Sequence, residues 1–277
     1  MIKAKSTNEL LDEILTSGAI VYGTGYVAER FIESLRLLGI SHSIRYCVTT
    51  QKDKDIFNGY NVLEISELKE YYDGELICIA VHEAIKDEIV KNLEDYSFSK
   101  YTWIYPYQHK LRFGEPIELN KEVKIVQLLN TTKNDYRIPV RIAAIEQFYG
   151  KNDCGYSIYL KAQSQHCDGN TAKKRLDAFI KLIKSWDKSG FNIEHRPAVA
   201  SNYEIIDGVH RIALAIYHKM ECISCDIYEA EAVESYRNEY IDIVEDVLKE
   251  AGLTAQENEV ITAIHRYLIG QVESNDE

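Results

Sequence analysis

Apolar and polar positions in the first hundred residues alternate between two rhythms. Leu10, Leu11, Ile14 and Leu15 fall on one face and predict a short helix within 1–17. Ala19-Ile20-Val21-Tyr22 is a continuous apolar run, a short buried strand, and it leads into Gly23-Thr24-Gly25. Val27, Phe31, Leu35 and Leu38 then recur every three or four residues as an amphipathic helix, which Gly39 stops. A strand is expected at about 43–49, a turn at Asn58-Gly59 and a short edge element from Val62 to Ile65. Ser66 is expected to cap a short helix through Tyr72. Leu76 to Val81 is another apolar strand, followed by a helix at about 83–95 and a strand from Tyr101 to Tyr105. Strands alternating with helices imply a parallel sheet covered on both faces.

The rhythm breaks at Pro106 and again at Gly114-Glu115-Pro116, with polar, mixed sequence over 107–121. Domains are therefore expected at 1–110 and 118–277. The second half predicts a strand at 122–128, helices at 137–149 and 153–166, and a turn at Cys167-Asp168-Gly169-Asn170. A helix beginning near Thr171 carries the stripe Leu176, Phe179, Ile180, Ile183 and Trp186, and Gly190 ends it. A strand at 197–201, a turn at Asn202 and the run Glu204-Ile205-Ile206 lead to Asp207-Gly208-Val209-His210-Arg211. A helix through Lys219, a strand at 222–228 and two acidic amphipathic helices, about 230–250 and 255–270, complete the reading, with a frayed tail from Glu273.

Composition narrows the classes. The 277 residues are 45% hydrophobic and 27% charged, enough for a sizeable core in each half. The formal net charge of −12 argues against nucleic acid as the main partner, since a phosphate-backbone footprint needs a basic face. A small phosphorylated ligand fits a local basic pocket. No apolar run is long enough to span a bilayer, and no apolar signal core follows Met1-Ile2-Lys3-Ala4-Lys5, so a cytoplasmic location is expected. The six cysteines read mostly as small core residues.

Gly23-Thr24-Gly25-Tyr26-Val27-Ala28 is a GxGxxA pattern between a strand and a helix. The first glycine permits the tight turn, the second lets backbone amides approach a diphosphate, and Ala28 lets helix and strand pack closely. The candidate ligand-binding residues here are Gly23, Thr24, Gly25 and Tyr26. The alternative is that the glycines only make the turn. A ribose-binding acid is missing: the second strand ends Cys47-Val48-Thr49-Thr50, and Asp53 lies past it. With the Phe57-Asn58-Gly59-Tyr60-Asn61-Val62 element and the strand at 76–81, the region through Pro106 resembles the Rossmann-like unit of bacterial sugar-modifying acyltransferases and surface-polysaccharide enzymes. That resemblance implies a nucleotide-sugar site or a docking module.

The second motif is Asp207-Gly208-Val209-His210-Arg211. Gly208 permits a tight turn and exposes backbone N–H groups. His210 and Arg211 then stand at a helix N-terminus, where a phosphate is favoured. Arg211 can hold two phosphate oxygens in a fork. His210 can donate a hydrogen bond or move a proton near neutral pH. Asp207 can hold Mg²⁺, orient Arg211 or accept a proton from an attacking hydroxyl. The bland alternative is a buried Asp–Arg pair capping a helix. Ser185, Gly190, the Pro197 strand, this turn, its apolar helix and the closing strand make the stretch from about 171 to 228 resemble the ParB/sulfiredoxin superfamily. Members include chromosome-partitioning CTP switches, sulfiredoxin and a kinase for free serine. The resemblance implies that the turn holds nucleotide phosphates. Val209 stands where sulfiredoxin has its reactive cysteine, which removes sulfinic-acid repair. No helix-turn-helix with a basic face follows, which removes DNA partitioning.

Other residues carry weaker signals. Lys174 and Arg175, after Lys173, are candidate nucleotide contacts by that resemblance, or else a solvated basic turn. Arg137 and Arg141, at i and i+4, read as surface or ion-paired residues, with a substrate cleft as the alternative. Asp135 and Asp153 read equally as helix caps or catalysts. Tyr149, Tyr156 and Tyr159 are candidates for stacking on a sugar or base. Cys222 and Cys225 have CxxC spacing, but a strand there puts them on opposite faces, against a metal site.

The fold expected is thus α/β: an N-terminal Rossmann-like parallel sheet, then an α+β ParB/sulfiredoxin-like domain with terminal helices. The function expected is a nucleotide-dependent phosphotransferase acting on a small hydroxylated metabolite or sugar in bacterial surface-glycan biosynthesis. ATP or CTP with Mg²⁺ is the expected donor, Asp207 the metal ligand, and Asp207, His210 and Arg211 the catalytic residues. Gly208, Val209, His210, Arg211, Lys174 and Arg175 would bind the nucleotide. The alternatives are a non-catalytic nucleotide-binding regulator or scaffold, dimeric through its C-terminal helices, and a nucleotide-sugar-modifying enzyme using NAD(P) on the first unit.

Overall fold

The computed structural model describes residues 6–234 and 245–273. The chain divides into two compact units, Met1–Glu115 and Pro116–Glu277.

In the first unit α1 (Thr7–Ser17), β1 (Ala19–Tyr22), α2 (Tyr26–Leu37), β2 (Ile44–Thr49), β3 (Ile56–Phe57), β4 (Tyr60–Glu64), α3 (Ile65–Leu68), β5 (Leu76–Ile79), α4 (Glu83–Asp95), β6 (Tyr101–Trp103) and α5 (Gln108–Phe113) follow in order. The six-stranded sheet runs β3-β4-β2-β1-β5-β6. Every pairing in it is parallel except the short β3–β4 hairpin at Asn58-Gly59. β1 and β5 are buried throughout, which is why they read as unbroken apolar runs. One face packs on Leu10, Ile14, Phe31, Ile32 and Leu35, the other on Ile65, Leu68, Ile89 and Leu93. The sequence order β4-β2-β1 followed by β5-β6 reverses direction across the sheet between β1 and β5, the crevice where open α/β sheets take ligands.

Two local expectations change here. α3 starts one residue before Ser66, capped by Glu64, whose backbone N–H donates to Glu67 Oε2 at 2.8 Å. The polar stretch 107–121 contains α5, pinned by the buried Leu111.

The second unit contains β7 (Glu118–Lys124), α6 (Ile125–Thr131), α7 (Arg137–Phe148), α8 (Gly155–Ser164), α9 (Gly169–Ser189), β8 (Ala198–Ala200), β9 (Ile205–Asp207), α10 (Val209–Tyr217), β10 (Cys222–Tyr228), α11 (Ala230–Glu234), α12 (Glu245–Glu250) and α13 (Ala255–Glu273). Its sheet runs β7-β10-β8-β9, with only β10–β8 parallel. The strand expected at 122–128 stops at Lys124. From Ile125 the apolar residues Ile125, Leu128 and Leu129 follow helical spacing into the core, and Gln127 accepts the Lys124 N–H. α9 begins at Gly169, because Asp168 Oδ1 accepts from the N–H groups of Asn170 and Thr171. The long helix expected at 230–250 is described only at its two ends, and 235–244 lie outside the described residues, as does the tail 274–277.

The core of this unit joins α7, α8, α9 and α10, with Ile138, Ile145, Ile158, Tyr159, Phe179, Ile183, Ile212 and Leu214 all buried. α7 and α8 approach so closely that a Cβ on Gly155 would sit 1.9 Å from the Ala143 carbonyl oxygen. Among the described residues, no helix is long and apolar enough to cross a membrane.

Candidate functional site

β9 ends at Asp207 and α10 begins at Val209, so the turn between them is one residue long. That residue must be glycine. Gly208 has φ +90 and ψ 15, and a Cβ there would lie 2.7 Å from Pro197 Cα. Its N–H donates to Asp207 Oδ1 at 2.7 Å. Its carbonyl accepts from the N–H groups of Arg211 and Ile212, starting the helix. Behind the turn, Ile212, Ala213, Leu214 and Ala215 are buried completely and fix α10 in the core. The Val209 side chain is buried as well, so only its backbone faces the turn.

His210 is oriented from two sides. Its Nε2 lies 2.9 Å from the Tyr159 hydroxyl, and its ring centroid is 4.4 Å from that of Phe179. Tyr159 comes from α8 and Phe179 from α9, so three elements meet at this imidazole. The Arg211 side chain makes no hydrogen bond or ion pair with any described residue. It is therefore not the partner of Asp207 in a buried capping pair.

Beyond Tyr159 the wall turns cationic. Arg141 of α7 is only 7% exposed, yet among the described residues no carboxylate forms an ion pair with it. One Nη donates to the Arg137 carbonyl at 3.1 Å, and the guanidinium carbon stands 5.7 Å from the Tyr159 ring centroid. Its Nε is buried without a hydrogen-bond partner. Burial pulls its affinity for the proton below the usual arginine range, and the neighbouring cations Arg137 and Arg175 pull the same way. Asp135, the nearest counter-charge, is already held by Arg137 at 2.6 Å. Arg175 of α9 is half-buried and donates to Gln163 Oε1 at 2.9 Å. His166 follows α8. Its Nε2 is also buried without a partner, and burial, then Arg175 and Arg141, hold its pKa below the ordinary 6.5. Burial raises the Tyr159 pKa, against the pull of Arg141 and Arg175.

Several sequence readings change in this light. Arg137 is ion-paired, but Arg141 is neither at the surface nor paired. Lys173 and Lys174 are exposed on the first turns of α9, whereas Arg175 faces inward to Gln163. Asp135 stands one residue before the α7 cap position, Tyr136, and its Oδ1 accepts the Arg137 N–H at 2.8 Å. At α8 the cap position is Cys154, Asn152 Oδ1 accepts from the Cys154 and Gly155 N–H groups, and Asp153 accepts instead from Gln256. Tyr149 stacks on Tyr217 and donates to Asp187, so its ring is already used. Burial pushes the Cys225 thiol up to about 12. Among the described residues, no three His, Cys, Asp or Glu side chains gather as a metal site. Sequence reasoning gave Arg141 a substrate cleft only as the alternative reading and did not single out His166. The one available signal for Arg141 was an arginine inside the run Ile138 to Ile145, where every neighbour is apolar.

In the first unit, Gly23 has φ +126, and a Cβ there would lie 2.8 Å from the Ala80 carbonyl oxygen. Its N–H donates to the Val48 carbonyl at 2.8 Å. Gly25 caps α2 in an extended conformation, φ −105 and ψ −171, and a Cβ there would touch nothing within 4 Å. Ala28 is buried against the sheet. Thr24 is half-buried, Tyr26 is exposed, and the Arg30 guanidinium lies 4.2 Å over the Tyr26 ring. At the end of β2, Thr50 Oγ1 is 3.0 Å from the Tyr22 hydroxyl, while Thr49 Oγ1 is buried without a partner.

Comparison with known proteins returns no match: no family model, no curated protein and no solved structure matches this chain.

Proposed function

We propose that the second unit, a ParB/sulfiredoxin-like domain, is a nucleotide-dependent phosphotransferase acting on a small hydroxylated metabolite or sugar. The observation that carries the reading is Arg211: a guanidinium with no partner among the described residues, in the first turn of a helix, beside a carboxylate and an oriented imidazole. Arg211 and the α10 N-terminus take the phosphates of ATP or CTP. His210, held by Tyr159 and Phe179, donates to a phosphate oxygen. Lys174 adds positive charge from the exposed first turns of α9, while Arg175, expected to join it, turns inward to Gln163. Asp207 is a hard oxygen ligand of the kind Mg²⁺ accepts. No group of three metal-ligating side chains gathers among the described residues, so an ion here would draw on phosphate oxygens and water as well, as Mg²⁺ commonly does.

In the transfer, the acceptor hydroxyl oxygen bonds to the terminal phosphorus while the bond from that phosphorus to the bridging oxygen breaks. The electron pair leaves with the nucleoside diphosphate, and the hydroxyl proton passes to Asp207. Catalysis rests on positioning and charge neutralisation. The test is incubation of the chain with Mg²⁺, ATP or CTP and a panel of polyols, sugars and hydroxy amino acids, read by ³¹P NMR. A new phosphomonoester resonance that disappears in Asp207→Asn supports transfer. Nucleotide binding without any product supports a regulator instead.

A second reading has its own observation. Neither backbone conformation nor crowding requires glycine at 25, and the space before its missing Cβ is open beside the β1–β5 crevice. A Rossmann-like unit uses such a position for close approach of a diphosphate. NAD(P) or a nucleotide sugar retained on purification, and lost in Gly25→Ser, supports a ligand there. The bacterial surface-glycan setting belongs to the same proposal and rests on the resemblances alone, and a cytoplasmic location is proposed with it.

A further inference from the structure

We propose that Arg141, Arg175 and His166 form a second anion site, separate from the Asp207–Arg211 turn, that takes a phosphate-type dianion. A buried guanidinium without a counter-charge is costly, and proteins normally pair it. Here the fold does the reverse. It brings Arg175 and Arg137 toward Arg141, spends Asp135 on Arg137, and leaves Arg141 Nε without an acceptor in an interior otherwise closed by Ile138, Ile142 and Ile145. His166 supplies a second buried nitrogen without a partner, within electrostatic reach of both arginines. Arg175 and His166 each keep part of their surface in solvent, which leaves a way in.

The donor set selects the ligand. Two guanidiniums carry two positive charges and match a dianion better than a single carboxylate. A neutral imidazole in this field offers its nitrogen N–H to an oxygen, or becomes protonated when a dianion offsets the arginines. Tyr159 is the wall shared with the turn, with its hydroxyl on His210 and its ring toward Arg141. The inference does not depend on the turn binding a nucleotide.

The test uses the full chain and inorganic phosphate, with chloride at matched ionic strength and acetate as controls. Phosphate raises the melting temperature of the wild type by several degrees, and acetate does not. Arg141→Met abolishes that rise while leaving the ligand-free melting temperature equal or higher, because an unpaired buried charge has been replaced by a chain of similar shape. Arg175→Gln, at a half-exposed position that tolerates the change, weakens phosphate at least tenfold and serves if Arg141→Met does not fold. Arg211→Ala retains the phosphate response, which separates this site from the turn. In NMR titrations of the histidine rings, the His166 pKa rises when phosphate is added to the wild type but not to Arg175→Gln. The inference is overturned if tens of millimolar phosphate gives no response, if Arg141→Met keeps it, if Arg211→Ala alone removes it, or if acetate acts as strongly as phosphate.

Discussion

Two strand-to-helix turns in this chain need glycine for the same steric reason. Gly23 abuts the Ala80 carbonyl at φ +126, and Gly208 abuts Pro197 at φ +90. The turns differ in what surrounds them. After Gly23 come Thr24, Gly25 and Tyr26, and Arg30 of the following helix lies over the Tyr26 ring. After Gly208 come an imidazole held by two aromatic residues and an arginine without a partner among the described residues, with Arg141 behind the tyrosine. A glycine that is required by φ and by a backbone neighbour says that the chain turns there. It says nothing about a ligand. Cationic groups that the fold leaves without counter-charges say more, because leaving them so costs stability.

The comparison breaks first at the glycines. Gly208→Ala and Gly23→Ala force a side chain onto backbone at positive φ, and each is expected to cost about 2–4 kcal/mol in urea unfolding. A silent Gly208→Ala would mean that the turn and Pro197 are not packed as described. The next effect contrasts a buried charge that the fold pairs with one that it does not. Glu257 is 3% exposed, and burial alone would raise its pKa. The donors Lys161, at 2.7 Å, Ser157 and Thr254 outweigh burial and bring the pKa from 4.5 down to about 2. A depressed carboxylate contributes stability that is complete above its unfolded pKa and lost as pH falls through the folded one. Acid unfolding should therefore include a loss between about pH 4.5 and about pH 2 that Glu257→Gln removes, with lower stability at neutral pH.

Tyr159→Phe sharpens the contrast on the functional side. It removes one hydrogen bond to His210, at about 1 kcal/mol of stability, and should weaken nucleotide binding severalfold by freeing the imidazole. The smallest stability effect belongs to Gly25→Ser. A serine caps a helix slightly better than glycine, so thermal unfolding should show a gain of a few tenths of a kcal/mol. If that variant is instead strongly destabilised, the space before Gly25 is not open.

The sequence made much of the first unit legible, because β1 and β5 are buried on both faces and their apolar runs cannot be read otherwise. The Asp207–Arg211 turn was legible for a similar reason: polar residues stand abruptly between two apolar runs. Boundaries set by side-chain capping were not. Glu64 caps where Ser66 was expected to, the α8 start is held by Asn152 rather than by Asp153, and Ile125 turned helical because its partners are three and four residues ahead. Arg141 escaped because i,i+4 spacing with Arg137 describes a solvated face as readily as an interior one. Only the packing of α8 and α10 against α7 decides which. His166 could not be placed at all, since its neighbours Arg175 and Arg141 are distant in sequence.

The central claim is that Arg211 holds a nucleotide phosphate, and a thermal-shift measurement with Mg²⁺ and ATP or CTP, wild type against Arg211→Ala, tests it most directly. The account predicts a nucleotide-dependent rise for the wild type, loss of that rise in the variant, and nearly equal melting temperatures without ligand. A variant that melts far lower without ligand and keeps its nucleotide response would make Arg211 a structural residue and contradict the claim.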